Sequence, residues 1–291
     1  MFFGTEPASI IMRPTKSTFN TNEVHGRKIQ QEKNSKEITF NNPSPYRAPP
    51  LGLNCVDVGS GNARITTYTS NPNPGGFNIH IDTWGDTKLH TGGCTIFDEA
   101  LYDLDYSFGS FDTKDVYPAD SPQRCSSKYI RFLQLHAEPP RVVVWLTGFD
   151  IHGPEGQSYI IRTYASEISR SGFRVHIDTW GDAKLHVGQV HWIVVPLEKP
   201  GVVTGKYSTN DIRHWEEPQM TNTDLVTFGG YHFSGPPRVY VGLTSLDVNC
   251  GRVLRLATWC DGIEKYGMMW HINSWADTIL YSASVAYIAV A

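Results

Sequence analysis

Three stretches of this chain carry side chains able to do chemistry at a fixed spacing. They are His80-Ile81-Asp82-Thr83-Trp84-Gly85-Asp86-Thr87-Lys88-Leu89-His90, His176-Ile177-Asp178-Thr179-Trp180-Gly181-Asp182-Ala183-Lys184-Leu185-His186, and His271-Ile272-Asn273-Ser274-Trp275-Ala276-Asp277-Thr278-Ile279-Leu280-Tyr281. If each begins on a strand, the period of two puts His80, Asp82 and Trp84 on one face, and the chain turns at Gly85-Asp86. The turn then presents Trp84 and Asp86, Trp180 and Asp182, and Trp275 and Asp277 at a loop edge, with His90, His186 and Tyr281 on the strand that leaves it. An aromatic plane beside carboxylate, imidazole and backbone donors suits a sugar, whose C–H face lies on the ring while its hydroxyls take directed hydrogen bonds. The same pattern is equally what packing gives, with the indoles in a core and the acids bonding their own backbone in a turn. Metal binding by His80, Asp82 and His90 fits poorly, because the third copy has Asn273 and Tyr281 instead and no Cys or further His recurs at ligand spacing. No metal or cofactor is expected.

The elements that must position these residues also repeat. The copies lie about 95 residues apart in a chain of 291, which divides it into an arm at 1–16 and units at 17–104, 105–200 and 201–291. Ile38-Thr39-Phe40, Ile130-Arg131-Phe132 and Val226-Thr227-Phe228 alternate apolar and polar residues as half-buried strands do. Pro139-Pro140-Arg141 and Pro236-Pro237-Arg238 forbid helix and lead into the extended runs Val142 to Phe149 and Val239 to Leu246. Arg64 to Tyr68, Ile160 to Tyr164 and Arg255 to Trp259 precede the motifs, and Cys94 to Phe97, Val190 to Val195 and Val285 to Val290 follow them. About six short strands per unit, split by turn signals, predict an all-β protein of three tandem six-stranded antiparallel sandwiches. A β-trefoil, with units of roughly half this length, fits less well.

Composition excludes other classes. A net charge of −4 without a Lys/Arg cluster argues against nucleic acid as partner. The start, Met1-Phe2-Phe3-Gly4-Thr5-Glu6-Pro7, has neither a basic leader nor an apolar run, and no segment is apolar enough to span a bilayer. The reading is a soluble chain without membrane insertion, cytoplasmic or exported by a non-classical route. A mature secreted form would read the same. The five cysteines, Cys55, Cys94, Cys125, Cys250 and Cys260, do not recur at matching positions and read as core or loop thiols, although Cys250 and Cys260 stand where a hairpin would let them meet. Glu23, Asp115 and Asp211 recur as turn caps or sugar contacts. The acidic stretch Asp98 to Asp115 reads as a solvated connector between units.

The order Ile-Thr-Phe, Pro-Pro-Arg-Val, Leu146-Thr147-Gly148-Phe149-Asp150-Ile151, Arg162-Thr163-Tyr164, then Gly172-Phe173 and the His176 motif resembles the H-type lectin domain, the family of snail agglutinins and discoidin C-terminal domains. The resemblance covers nearly the whole chain three times, most closely in the second and third units. It implies six-stranded sandwiches that associate in parallel trimers and bind N-acetylgalactosamine or galactose between neighbours, without a catalytic step. The family's sugar-contacting Arg falls on Arg162, with Thr66 and Ala257 at the equivalent places. Its loop Trp falls on Trp84, Trp180 and Trp275, and its later aromatic on His90, His186 and Tyr281. The binding His that follows the Trp in snail-type members is replaced by Gly85, Gly181 and Ala276. The acid of the N-terminal segment falls on Glu217, with Ile29 and Ser121 in the other units.

Together these features predict a non-enzymatic, multivalent carbohydrate-binding protein for glycans ending in N-acetylgalactosamine or galactose. Three units in one chain would replace the homotrimer with a pseudo-trimeric monomer or build a higher homo-oligomer. Expected contacts are Arg162, Trp180, Gly181, Asp182, His186, Trp84, Asp86, His90, Trp275, Asp277, Tyr281 and Glu217. A structural or assembly module with degenerate sites is the alternative, and a glycosidase with paired carboxylates a more distant one.

Overall fold

Alternating side chains and Pro/Gly punctuation leave the chain one economical way to bury its apolar half, which is to pair extended segments edge to edge. A computed structural model describes residues 17–26, 30–40, 47–59, 61–153 and 157–291. The arm expected at 1–16 and the Ile29 position lie outside the described residues. The first repeat supplies β1 (Thr18–Asn20), β2 (Ser35–Thr39), β3 (Leu51–Val58), β4 (Ala63–Asn73), β5 (Gly76–Asp82) and β6 (Leu89–Ile96). The second supplies β7 (Ser107–Asp112), β8 (Cys125–Arg131), β9 (Arg141–His152), β10 (Ser158–Ser166), β11 (Gly172–Asp178) and β12 (Lys184–Val195). The third supplies β13 (Val202–Ser208), β14 (Thr223–Thr227), β15 (Arg238–Asn249), β16 (Leu254–Glu264), β17 (Gly267–Asn273) and β18 (Leu280–Val290).

The three six-stranded antiparallel sheets are each built from two repeats. Their orders are β1-β6-β3-β16-β17-β14, β13-β18-β15-β10-β11-β8 and β2-β5-β4-β9-β12-β7. Each repeat therefore splits its strands between two sheets, and each joins its neighbour through a central strand pair. Arg64 of β4 pairs with Asp150 of β9, Arg162 of β10 with Ser245 of β15, and Ala257 of β16 with Cys55 of β3. The result is a closed ring of three repeats with no exposed edge at the junctions.

One apolar cluster, including Phe77, Phe149, Phe173, Leu243, Trp270 and Val285, runs through the sandwich interiors. A second, with Phe97, Trp145, Tyr240, Ala286 and Ile288, lies where the repeats converge. There Gly52, Trp145 and Gly242 occupy equivalent places in β3, β9 and β15. The indole donates to the Ala286 carbonyl at 3.0 Å, and a Cβ on Gly52 or Gly242 would stand 2.9 or 2.5 Å from its ring. One tryptophan fills the centre because the other two positions are glycine.

The acidic connector is not wholly solvated, which corrects the expectation from sequence. Asp98 is 0% and Glu99 4% exposed, at the start of the short α-helical turn α1 (Glu99–Tyr102). Tyr240 of the third repeat donates to Asp98 at 2.9 Å and Glu99 at 3.0 Å, while Arg238 pairs with both carboxylates. Burial of these charges is tolerated because each has a cation and a hydroxyl partner.

Glu23 and Asp211 serve as caps. In each case the carboxylate accepts from the N-cap backbone of a single 3-10 turn whose own N-cap, Asn20 or Ser208, bonds in return. Asp115 instead pairs with Lys128 at 3.0 Å. All five cysteines are free thiols, with burial pushing Cys94 and Cys260 up to about 12.

Candidate functional site

Each motif runs off the end of a strand into a tight turn. The turn, which opens on the Trp, needs left-handed backbone at its second residue, where Gly85 has φ +66°, Gly181 +61° and Ala276 +59°. Glycine supplies this conformation at no steric cost, and Ala276 adopts it with strain. Glycine meets the requirement at two of the three positions.

The leading His of each motif acts on the fold, as do Asp82 of the first and Asn273 of the third. His80 stacks on Tyr68 at 4.5 Å between ring centres, His176 on Tyr164 at 4.4 Å and His271 on Trp259 at 4.7 Å. The imidazoles are held by Ser70 and Ser166, each at 2.7 Å, and by Asp261 at 3.1 Å. Asp82 is buried and accepts from the Asn34 backbone at 3.0 Å, from Tyr68 at 2.9 Å and from Lys33 at 3.2 Å. Asn273 takes the equivalent bond from the Asn222 backbone at 2.9 Å. An amide oxygen suffices for that bond, so an Asn in the third copy keeps the local fold.

The loop residues are differently placed in the three repeats. Trp180 is 39% exposed, and Trp84 and Trp275 are half-buried. None of the three lies in the core. Arg162 extends beside Trp180, its guanidinium carbon 5.7 Å from that ring and 4.9 Å from Tyr164. Its Nη2 meets Asp178 at 3.4 Å. Burial, followed by the hydrogen bond to Asp178, raises the pKa of the Tyr164 hydroxyl. Arg162, Tyr164, Asp178 and Trp180 thus form one cluster with a cation, a carboxylate and an exposed indole.

Gly181 and Asp182 face a separate hollow of about 370 Å³ with Gln123, Arg124, Gln157 and Lys184. His186 donates from Nδ1 to the Ala119 carbonyl, 3.0 Å away, and so ties the preceding segment to the motif; a carbonyl only accepts, so this ring nitrogen carries the proton. His90 meets the Gln30 amide at 3.3 Å, a corresponding tie in the first repeat.

Asp86 and Asp277 are held by arginines. Asp86 accepts from Arg64 and Asp277 from Arg255, and these bonds lower both carboxyl pKa values. Tyr281 accepts from Asn249 at 3.3 Å, with Trp215 edge-on at 6.3 Å. Glu217 is exposed, and its backbone N–H closes the turn that contains Trp215 by donating to the His214 carbonyl at 3.1 Å.

Of the residues expected from sequence, Arg162 and Trp180 come together, Gly181 and Asp182 lie on the neighbouring hollow, and Asp86 and Asp277 are taken up in ion pairs. Tyr164 is not among the expected contacts. The available signal is an aromatic residue recurring at Tyr68, Tyr164 and Trp259, always two places after the Thr66, Arg162 and Ala257 position.

A family model described as the H-type lectin domain matches the chain three times, at residues 35–97, 127–195 and 223–290. Among solved structures, recombinant discoidin II of Dictyostelium discoideum is similar at 11% identity, over 57% of this chain and 83% of that one, with a TM-score of 0.27. No curated protein matches the chain.

Proposed function

The chain belongs to the H-type lectin domain family, and from that membership we propose that it binds glycans ending in N-acetylgalactosamine or galactose, multivalently and without catalysis. The observation that carries this reading is the Arg162 cluster, which sets a guanidinium beside an exposed indole and a carboxylate. The indole offers a surface to the apolar face of a sugar ring, and the guanidinium, with five N–H donors, retains donors for hydroxyls beyond the contact to Asp178.

The proposed units are 17–104, 105–200 and 201–291, and their sites are unequal. The second repeat has Arg162 where the others have Thr66 and Ala257, so it forms the principal site. Trp84, Asp86 and His90, and Trp275, Asp277, Tyr281 and Glu217, contribute weaker ones, with His186 supporting the loop of the second. Covalent linkage keeps all sites at high effective concentration, so weak single-site affinities add as avidity on a glycan surface.

Glycan-array binding by the whole chain and by Arg162→Ala and Trp180→Ala tests the reading. Each variant is expected to lose at least about tenfold in affinity, in line with the cost of removing a buried or charged contact. Full binding by both would remove this cluster from consideration. Haemagglutination by the intact chain tests multivalency, and its absence together with a blank array would favour a purely structural role.

A further inference from the structure

At the junction of the second and third repeats, a cleft of about 450 Å³ lies between the antiparallel sheet they share and Val142, Val143 and Val144 of β9 in the neighbouring sheet. Arg162 and Tyr164 line it from β10, Lys206 from β13, Ser245 from β15 and Ser284 from β18. We propose that this cleft binds the acidic substituent of a saccharide, a carboxylate or sulfate group, between Arg162 and Lys206. The proposal rests on the carbohydrate-binding reading above and specifies the ligand class of the same junction.

The cleft is lined by two cations and several hydroxyls, and by no carboxylate. The nearby acid, Asp178, engages one guanidinium nitrogen of Arg162 at 3.4 Å and leaves the other N–H groups of that side chain for a ligand. Lys206 is exposed and has no ion-pair partner among the described residues. An unpaired lysine and a guanidinium with N–H groups to spare, beside several hydroxyls, favour an anion, and the volume is that of an ordinary small-ligand site.

The corresponding space at the other two junctions is filled. Between the first and second repeats, Gln189 stands where Ser284 does; it accepts from Thr66 at 2.8 Å and donates to Asp112 at 2.8 Å. Between the third and first, Asn54 stands where Thr244 does. It donates to Thr95 at 3.0 Å and covers Gly93, whose added Cβ would lie 2.6 Å from the Asn54 amide oxygen. The positions equivalent to Lys206 are Ser110 and Thr18. Small residues open the cleft at the same junction that carries the lysine and the arginine.

The test is calorimetric titration of the whole chain with lactose, 3′-sulfated lactose and sialyllactose, repeated with Lys206→Gln and Ser284→Gln. The acidic ligands are expected to bind at least tenfold more tightly than lactose, with that ratio falling to near one in Lys206→Gln and acidic binding lost in Ser284→Gln. Lys206 is exposed, so an unchanged melting temperature in Lys206→Gln separates loss of charge from loss of fold. Equal affinities for the neutral and acidic ligands in the unaltered chain would overturn the proposal while leaving sugar binding intact. No binding of any of the three would count against the carbohydrate reading itself. Competition by inorganic sulfate at the same concentrations as the sulfated sugar would overturn the assignment to a saccharide.

Discussion

Arg64 joins two repeats by bonding to Asp86 of its own motif loop while its Nε lies 3.3 Å from Asp150 of the next repeat. Arg255 repeats the arrangement with Asp277 and, at 3.8 Å, Asp57. At the third junction the residue in register with the acid is Ile160, opposite Asp247. Burial raises the pKa of Asp247, with Ser158 bonding it and no cation paired to it among the described residues.

Ile160→Arg is therefore expected to complete the third bridge. The gain is at most about 1 kcal/mol, because the new ion pair replaces an isoleucine that is only 7% exposed, and is read as a rise in melting temperature at pH 7. The same substitution in an Asp247→Asn background should give no gain, since the acceptor charge is gone. An equal rise in both backgrounds would show that the introduced guanidinium acts through something other than Asp247.

The first and second repeats meet at a bond that acid should break. The Leu51 backbone donates to His191 Nδ1 at 2.9 Å, and burial holds this imidazole down to about 4, below the ordinary 6.5. The unfolded chain then takes up a proton at a higher pH than the folded one, so this contribution to stability is complete above pH 6.5 and is lost as pH falls toward 4. Thermal melts at pH 4.5 and 7 should converge in His191→Asn, whose amide oxygen still accepts but does not titrate. An unaltered pH dependence in that variant would place the acid sensitivity elsewhere.

Gly242→Ala should destabilise the ring centre. The new Cβ would lie 2.5 Å from Trp145, and overpacking of this kind costs about 1–3 kcal/mol. Gly235→Ala, which meets nothing within 4 Å, is the control. Urea unfolding should shift in the first variant and stay in place in the second.

Tyr240→Phe removes the donor shared by Asp98 and Glu99. Leaving buried acceptors short of a partner costs about 1–3 kcal/mol, measurable as a lower urea midpoint at unchanged slope. No change in midpoint would mean that the remaining partners, Arg238 and Ser17 among them, satisfy both carboxylates.

Strand identity was legible in the sequence because apolar alternation and Pro-Pro punctuation mark local structure. Which strand edges meet was not, since a period of two looks the same whether β4 pairs within its repeat or with β9 of the next. The roles of Asp98 and Glu99 were hidden for a related reason. Acids in a short connector look solvated until Arg238 and Tyr240, about 140 residues away, come to lie against them. In the motif, the leading His of each copy and Asp82 of the first look reactive but serve the fold, and the arginine on the adjacent strand supplies the cation beside the exposed indole. The Arg64, Ile160 and Arg255 alternation is present in the repeats themselves, but its meaning depends on Asp150, Asp247 and Asp57 lying opposite.

The ring also closes on itself at one residue. Ser17, just before β1, accepts from Arg238 at 2.6 Å, and Arg238 is in register with Val290 at the end of β18. The first and last strands are thus near enough for a short peptide to join them. A chain rewired to read second, third, first would keep every neighbour it now has, including the single indole between two glycines. A chain reading first, third, second would reverse the direction of travel around the axis and set each strand edge against a surface it has never matched. The order of the repeats is consequently a circular quantity, free to start anywhere but fixed in its sense.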